Sequence, residues 1–227
     1  MLGDSFPNTA NEIANLCNRL HGLLKSAPRW RFPLELTTLP ENGLYVLMEE
    51  GELGHETMRA VRVGTHTGKN QLRSRLAQHF IAENKDRSVF RKNIGRCLLS
   101  RTQDSFFAQW NIDLTTRNAR QRHAGLLDET KRRQVEHDVS AFMRRMFSFV
   151  VMRVEDKATR LQLESRIAST VSLCSECKPS SNWLGLSSPN PKIRQSGLWQ
   201  VNELYKTPLN EADLDTVERC LSSHRAL

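Results

Sequence analysis

Residues 43–80 constrain the chain more than any other stretch. Two short apolar runs, Leu44–Met48 and Val61–Val63, are joined by a charged segment at Glu49–Gly54 that is punctuated by glycine. Apolar runs of strand length separated by glycine and charge predict a β-hairpin, with the turn in the glycine-bearing segment. Leu72, Leu76 and Phe80 then recur every four residues, the spacing of one face of a helix. Arg75 and His79, also four apart, stand beside that stripe and point the same way. Tyr45 on a strand, Gly64 closing the next, and a helix showing Arg and His together predict a site for a phosphate.

Further along, Phe147–Val154 is the run richest in β-branched and aromatic residues and predicts a central third strand. A helix is expected over Ala158–Leu173, with Leu161, Leu163, Ile167, Ala168 and Val171 as its apolar stripe. Glu164 falls inside that stripe. A carboxylate on a buried face is costly unless it is paired or bound to a metal. Two readings therefore stand, a salt bridge to Arg75 or a divalent-cation ligand. The segment Lys178-Pro-Ser-Ser-Asn182 stops the helix abruptly, and Asn182 either caps its own turn or offers its amide to a site.

Taken in this order, the residues resemble the GIY-YIG nuclease superfamily, bacterial restriction-endonuclease-like members in particular. Gly43-Leu44-Tyr45 stands as the first signature and Arg62-Val63-Gly64 in place of the second. Arg75-Leu76-x-x-His79 looks like the family's arginine helix, Glu164 like its metal-binding glutamate, and Lys178-Pro to Asn182 like its closing segment. The resemblance spans about residues 43–185, with Arg101–Met146 unmatched. It implies an α+β fold: a small, three-stranded, mostly antiparallel sheet flanked by helices, with an N-terminal helix, a basic helical insertion and a C-terminal extension. It also implies catalytic roles for Tyr45, Arg62, Arg75, His79, Glu164 and Asn182. Glu164 would hold one Mg²⁺ or Mn²⁺, and Arg75 would fork onto a non-bridging phosphate oxygen. Tyr45 would accept the proton of the attacking water, with His79 orienting that water or receiving the proton next. Asn182 would position Tyr45 or the phosphate. The departure is Arg62, where the family has its second tyrosine. Arginine stays protonated and cannot serve as a base, so its roles reduce to lowering the pKa of Tyr45 or binding phosphate.

The formal net charge of +8 favours a polyanionic partner. Candidate nucleic-acid contacts are Lys69, then Arg91 and Lys92, which fall on a helix begun by Ser88, and Arg117, Arg120, Arg122, Lys131, Arg132 and Arg133 in the insertion. The expected organisation is an N-terminal helical extension over residues 1–40, a nuclease domain over 41–185 with the insertion at 101–146, and a C-terminal extension over 186–227. That extension is expected to hold a strand at Leu198–Leu204 and a helix at Asn210–Leu221. The function implied is a Mg²⁺-dependent, restriction-type endonuclease on double-stranded DNA, leaving 5′-phosphate and 3′-OH ends. A homodimer would match a palindromic site. The alternative is a non-catalytic DNA- or RNA-binding relative, which Arg62 favours.

No apolar run approaches the roughly 20 residues of a membrane span. The N-terminus lacks the basic start and apolar centre of a secretory signal. Five cysteines without framework spacing point to reduced thiols and a cytoplasmic chain. Cys174-Ser-Glu-Cys177 is a C-x-x-C pair, but no second pair or nearby histidine completes the four ligands of a zinc set.

Overall fold

A computed structural model describes residues 9–222. Strands β1 (Gly43–Gly54), β2 (Thr57–Gly64) and β3 (Phe147–Arg153) form one antiparallel sheet in the order β2-β1-β3. The helices in chain order are α1 (Ala10–Ser26), α2 (Leu72–Phe80), α3 (Val89–Arg101), α4 (Phe107–Trp110), α5 (Arg117–Arg122), α6 (Glu129–Met146), α7 (Lys157–Leu173), α8 (Pro191–Ser196) and α9 (Glu211–Ser222). This is the α+β architecture expected.

Alternation along β1 and β3, and along β2 on either side of the bulge at Val61, divides the core in two. Tyr45, Leu47, Val61, Phe149 and Val151 face α2, α3 and α6, while Leu44, Val46, Val63, Val150 and Met152 face α1, α7 and α9. β1, paired on both sides, is buried from Gly43 to Glu49.

The hairpin turn lies further on than the sequence predicts. β1 continues through Gly54, and the reversal is made by His55 and Glu56, with φ of 51° and 57°. Two left-handed residues in a two-residue loop match the right-handed twist of the flanking strands. Gly51, with φ of 84°, sits in the irregular register between Met48 and Leu53. It serves a bulge, which needs a glycine as much as a turn does. Glu50 is exposed, but Glu49 and Glu52 of this stretch are buried. Trp183 and Trp199 Nε1 donate to Glu49 Oε2 at 2.8 and 2.7 Å, and Arg59 and Ser180 hold the buried Glu52.

Local chemistry sets the helix starts. Thr9 and Glu12 form a capping box at α1, and Ser88 Oγ accepts the Arg91 N–H at the start of α3. Asn210 and Asp213 exchange the same pair of bonds at α9. Residues Leu198–Leu204 do not form the expected strand, because Glu203 and Tyr205 take positive φ of 62° and 57° and break the extended run. The segment still lies along the open edge of β2, with Trp199 N–H on Val61 O at 2.7 Å. Among the described residues no helix is long and apolar enough to cross a membrane.

Candidate active site

The site is built at the end of β2. Register pairs Tyr45 with Gly64. A Cβ on Gly64 would lie 2.3 Å from Tyr45 Oη, so only glycine lets the phenol pass. That hydroxyl meets His79 Nε2 at 2.8 Å, and His79 Nδ1 meets Ser88 Oγ at 2.7 Å. All three residues are buried. Burial, then the charges of Arg62, Arg75 and Arg91, hold the imidazole pKa well below its ordinary value. His79 is therefore neutral, with one ring nitrogen carrying hydrogen and the other open as an acceptor.

Beside this pair an open cleft of about 360 Å³ is lined by Thr65, His66, Gln71, Arg75, Gln78 and Glu164, among others. β2 is an edge strand, and its outward groups are taken one after another. Trp199 N–H bonds Val61 O, Gln200 Oε1 accepts from Val63 N–H at 2.9 Å, and the Glu164 carboxylate accepts from the backbone N–H of Thr65. Burial raises the Glu164 pKa, offset by Arg62, the Thr65 N–H and Arg75, with Glu203 adding to the rise. Yet among the described residues no cation forms an ion pair with Glu164. Arg75 Nη1 instead donates to Gln78 Oε1 at 3.3 Å. The salt-bridge reading of Glu164 is therefore not what the structure shows.

A family model for the GIY-YIG domain matches residues 10–227. The chain belongs to the GIY-YIG family. No curated protein and no solved structure gives a match. The match takes in α1 and α9 as well as the hairpin. The family is one of nucleases, which implies DNA as the substrate and a divalent metal in general terms.

At position 62 of this GIY-YIG chain, the guanidinium lies 4.9 Å over the Phe90 ring and Nη1 donates to Trp199 O. Its Nε has no hydrogen-bond partner among the described residues. Its charge acts on both His79 and Glu164. His66 is a second histidine at the cleft, but both its nitrogens are occupied. Nδ1 is 2.6 Å from Gly68 O, and Nε2 accepts from Gly43 N–H at 3.2 Å, so it has no lone pair left for a substrate proton.

Asn182 is not brought to the cleft. It is exposed, between Ser180, which bonds Glu52, and Trp183, which bonds Glu49. Those partners are four to seven residues along β1 from Tyr45, roughly 13–23 Å at strand rise. The amide that does reach β2 is that of Gln200, which sequence reasoning missed. Its signal was a lone amide within the apolar run Leu198–Val201.

Of the nucleic-acid contacts expected, Arg91 is a correction. It is wholly buried, held by Glu136 Oε2 at 2.8 Å, Ser140 Oγ at 2.9 Å and His79 O at 3.0 Å, and presents nothing to a phosphate. Lys92 is half-buried and packed beside Lys85 and Arg96. Lys131 pairs with Asp104 at 2.7 Å and Arg132 with Glu129 at 2.6 Å. Lys69, Arg117, Arg120, Arg122 and Arg133 are exposed.

Proposed function

We propose that the chain is a restriction-type endonuclease that hydrolyses double-stranded DNA to 5′-phosphate and 3′-OH ends at the cleft beside β2. One observation carries this reading: the Glu164 carboxylate is half-buried on the wall of a water-open cleft, with one backbone N–H and, among the described residues, no cation in contact. An unpaired carboxylate in that position fits a hard divalent cation, which takes few protein oxygens and keeps waters and substrate phosphate as its other ligands. Bound there, Mg²⁺ or Mn²⁺ supplies neutralisation of the scissile phosphate and the departing 3′ oxygen.

The remaining work falls to the chain. Arg75, from the facing wall, forks onto a non-bridging oxygen. With its Nδ1–H directed at Ser88 Oγ, neutral His79 accepts a hydrogen bond from the Tyr45 hydroxyl at Nε2 and so fixes the phenol oxygen with its lone pairs turned to a water. Arg62 favours the charged form of Glu164 and the neutral form of His79 at once. The exposed arginines of α5 and early α6 supply sequence-independent hold on the DNA backbone. A symmetric dimer cuts both strands of a palindromic site.

The second reading, a non-cleaving DNA binder, draws on Tyr45 having no exposed surface and on Arg62 replacing a phenol. Incubating purified protein with plasmid and Mg²⁺, against an EDTA control, separates the two. Linear product with ligatable ends in the Mg²⁺ arm alone supports the nuclease. Intact plasmid at full DNA occupancy supports the binder.

A further inference from the structure

We propose that the chain holds one structural Zn²⁺ through Cys17, His55, Cys174 and Cys177, at the opposite end of the hairpin from the cleft. The two sites use different chemistry, thiolate and imidazole here against a hard carboxylate there.

The ligand atoms of these four residues all lie within 4.8 Å of one another. Cys17 Sγ and Cys177 Sγ are 3.5 Å apart, and Cys174 Sγ and His55 Nε2 are 3.4 Å apart. Zinc bonds of about 2.3 Å to sulfur and 2.0–2.1 Å to nitrogen, arranged tetrahedrally, require ligand–ligand edges of roughly 3.5–3.8 Å. The short separations here are on that scale. All three cysteines are buried, and the His55 side chain is 2% exposed.

Three distant parts of the chain converge. Cys17 comes from the middle of α1, and His55 from the hairpin turn, where its left-handed φ of 51° sets the direction of its ring. Cys174 caps α7, and Cys177 follows in the next turn. Glycine at position 54 permits the approach, since a Cβ there would sit 3.0 Å from Cys177 Sγ.

The surroundings also fit. Glu176 Oε2 is 3.2 Å from His55 Nδ1, which places the ring proton on Nδ1 and leaves the Nε2 lone pair facing the sulfurs. A carboxylate behind the histidine is the usual way a metal-bound imidazole is oriented. His21 is close by, its ring centroid 5.3 Å from that of His55, but it is not a ligand. Its Nδ1 is 2.8 Å from Cys17 O and its Nε2 accepts from Ala60 N–H at 3.2 Å, so both nitrogens are already used. Three thiolates and one imidazole on Zn²⁺ leave a net charge of −1, and the charge of Arg59 acts on Cys177 from alongside. Binding releases the thiol protons to solvent, with no change of oxidation state.

Elemental analysis of the untagged full chain after gel filtration tests this, with one zinc per chain expected. Cys174→Ser and His55→Ala should lose the metal, whereas Cys220→Ser and Glu164→Gln should keep it, which separates this site from the cleft. Glu176→Gln should weaken zinc affinity by about 10- to 100-fold. Should the cysteine variants fail to fold, Co²⁺ added to metal-free wild-type chain gives an independent readout, with tetrahedral thiolate bands expected in its visible and near-ultraviolet spectrum. Wild-type protein lacking zinc and giving no such bands would overturn the proposal. So would an intact mass two units low with Cys17 and Cys177 joined as a disulfide.

Discussion

Among the described residues two carboxyls, Glu49 and Glu164, are held against their ionisation, and each makes a prediction. Glu49 is 2% exposed, and burial pushes its pKa up to about 7 despite two indole N–H donors. A carboxyl whose pKa is higher folded than unfolded contributes stability that is complete below its unfolded pKa and is lost as pH rises through the folded one. Glu49→Gln keeps an oxygen for both indoles and removes the charge. Urea unfolding should show it more stable than wild type by the order of 1–3 kcal/mol at pH 8.5, with the difference vanishing below about pH 4. Glu164 is raised for the same first cause, burial, and the same sign applies. Glu164→Gln should therefore gain thermal stability at neutral pH while losing cleavage, a trade common to residues kept for function.

At the scale of elements, glycine positions show what the sequence revealed and what it concealed. Gly95 inside α3 already implied close packing, since glycine in a helix costs about 1 kcal/mol relative to alanine. The neighbour is Trp110, whose ring would be 2.3 Å from an added Cβ. Gly95→Ala should destabilise by about 1–3 kcal/mol, overpacking outweighing the propensity gain, and chemical denaturation measures it. Gly51 misled, because a bulge and a turn call for the same left-handed backbone, and only the pairing with β2 distinguishes them. Arg91 misled for a related reason. Arginine on a helix reads as solvated until its partner is known, and that partner, Glu136, is 45 residues away. The placement of Tyr45 against His79, and of Arg75 and Glu164 on one cleft, was legible because a strand or a helix fixes the direction of each side chain. Asn182 was not, because its direction depends on where a loop is anchored, and Ser180 and Trp183 anchor this one at the turn end of the hairpin.

For the whole molecule, the proposed function assigns DNA contact to the exposed basic residues and the cleft. Arg117 and Arg122 on α5 and Arg133 on α6 are exposed and lie outside the core. Replacing all three with alanine should leave the melting temperature within a degree or two, weaken DNA binding on every sequence, and lower the log–log salt slope by about 0.9 for each phosphate no longer neutralised. Filter binding over a salt series measures this. The Cys/His cluster belongs to this scale too. Cys17 stands 160 residues from Cys177, so no local spacing could have announced it. On the proposed function, Glu164 supplies the charge that makes the cleft catalytic. Single-turnover cleavage of a linear duplex by wild type and Glu164→Gln, both saturated with DNA in Mg²⁺, tests it directly. A loss of at least about 10²-fold with binding unchanged is the result predicted, on the scale of removing one electrostatic stabiliser. Cleavage by the variant within a few-fold of wild type would contradict it.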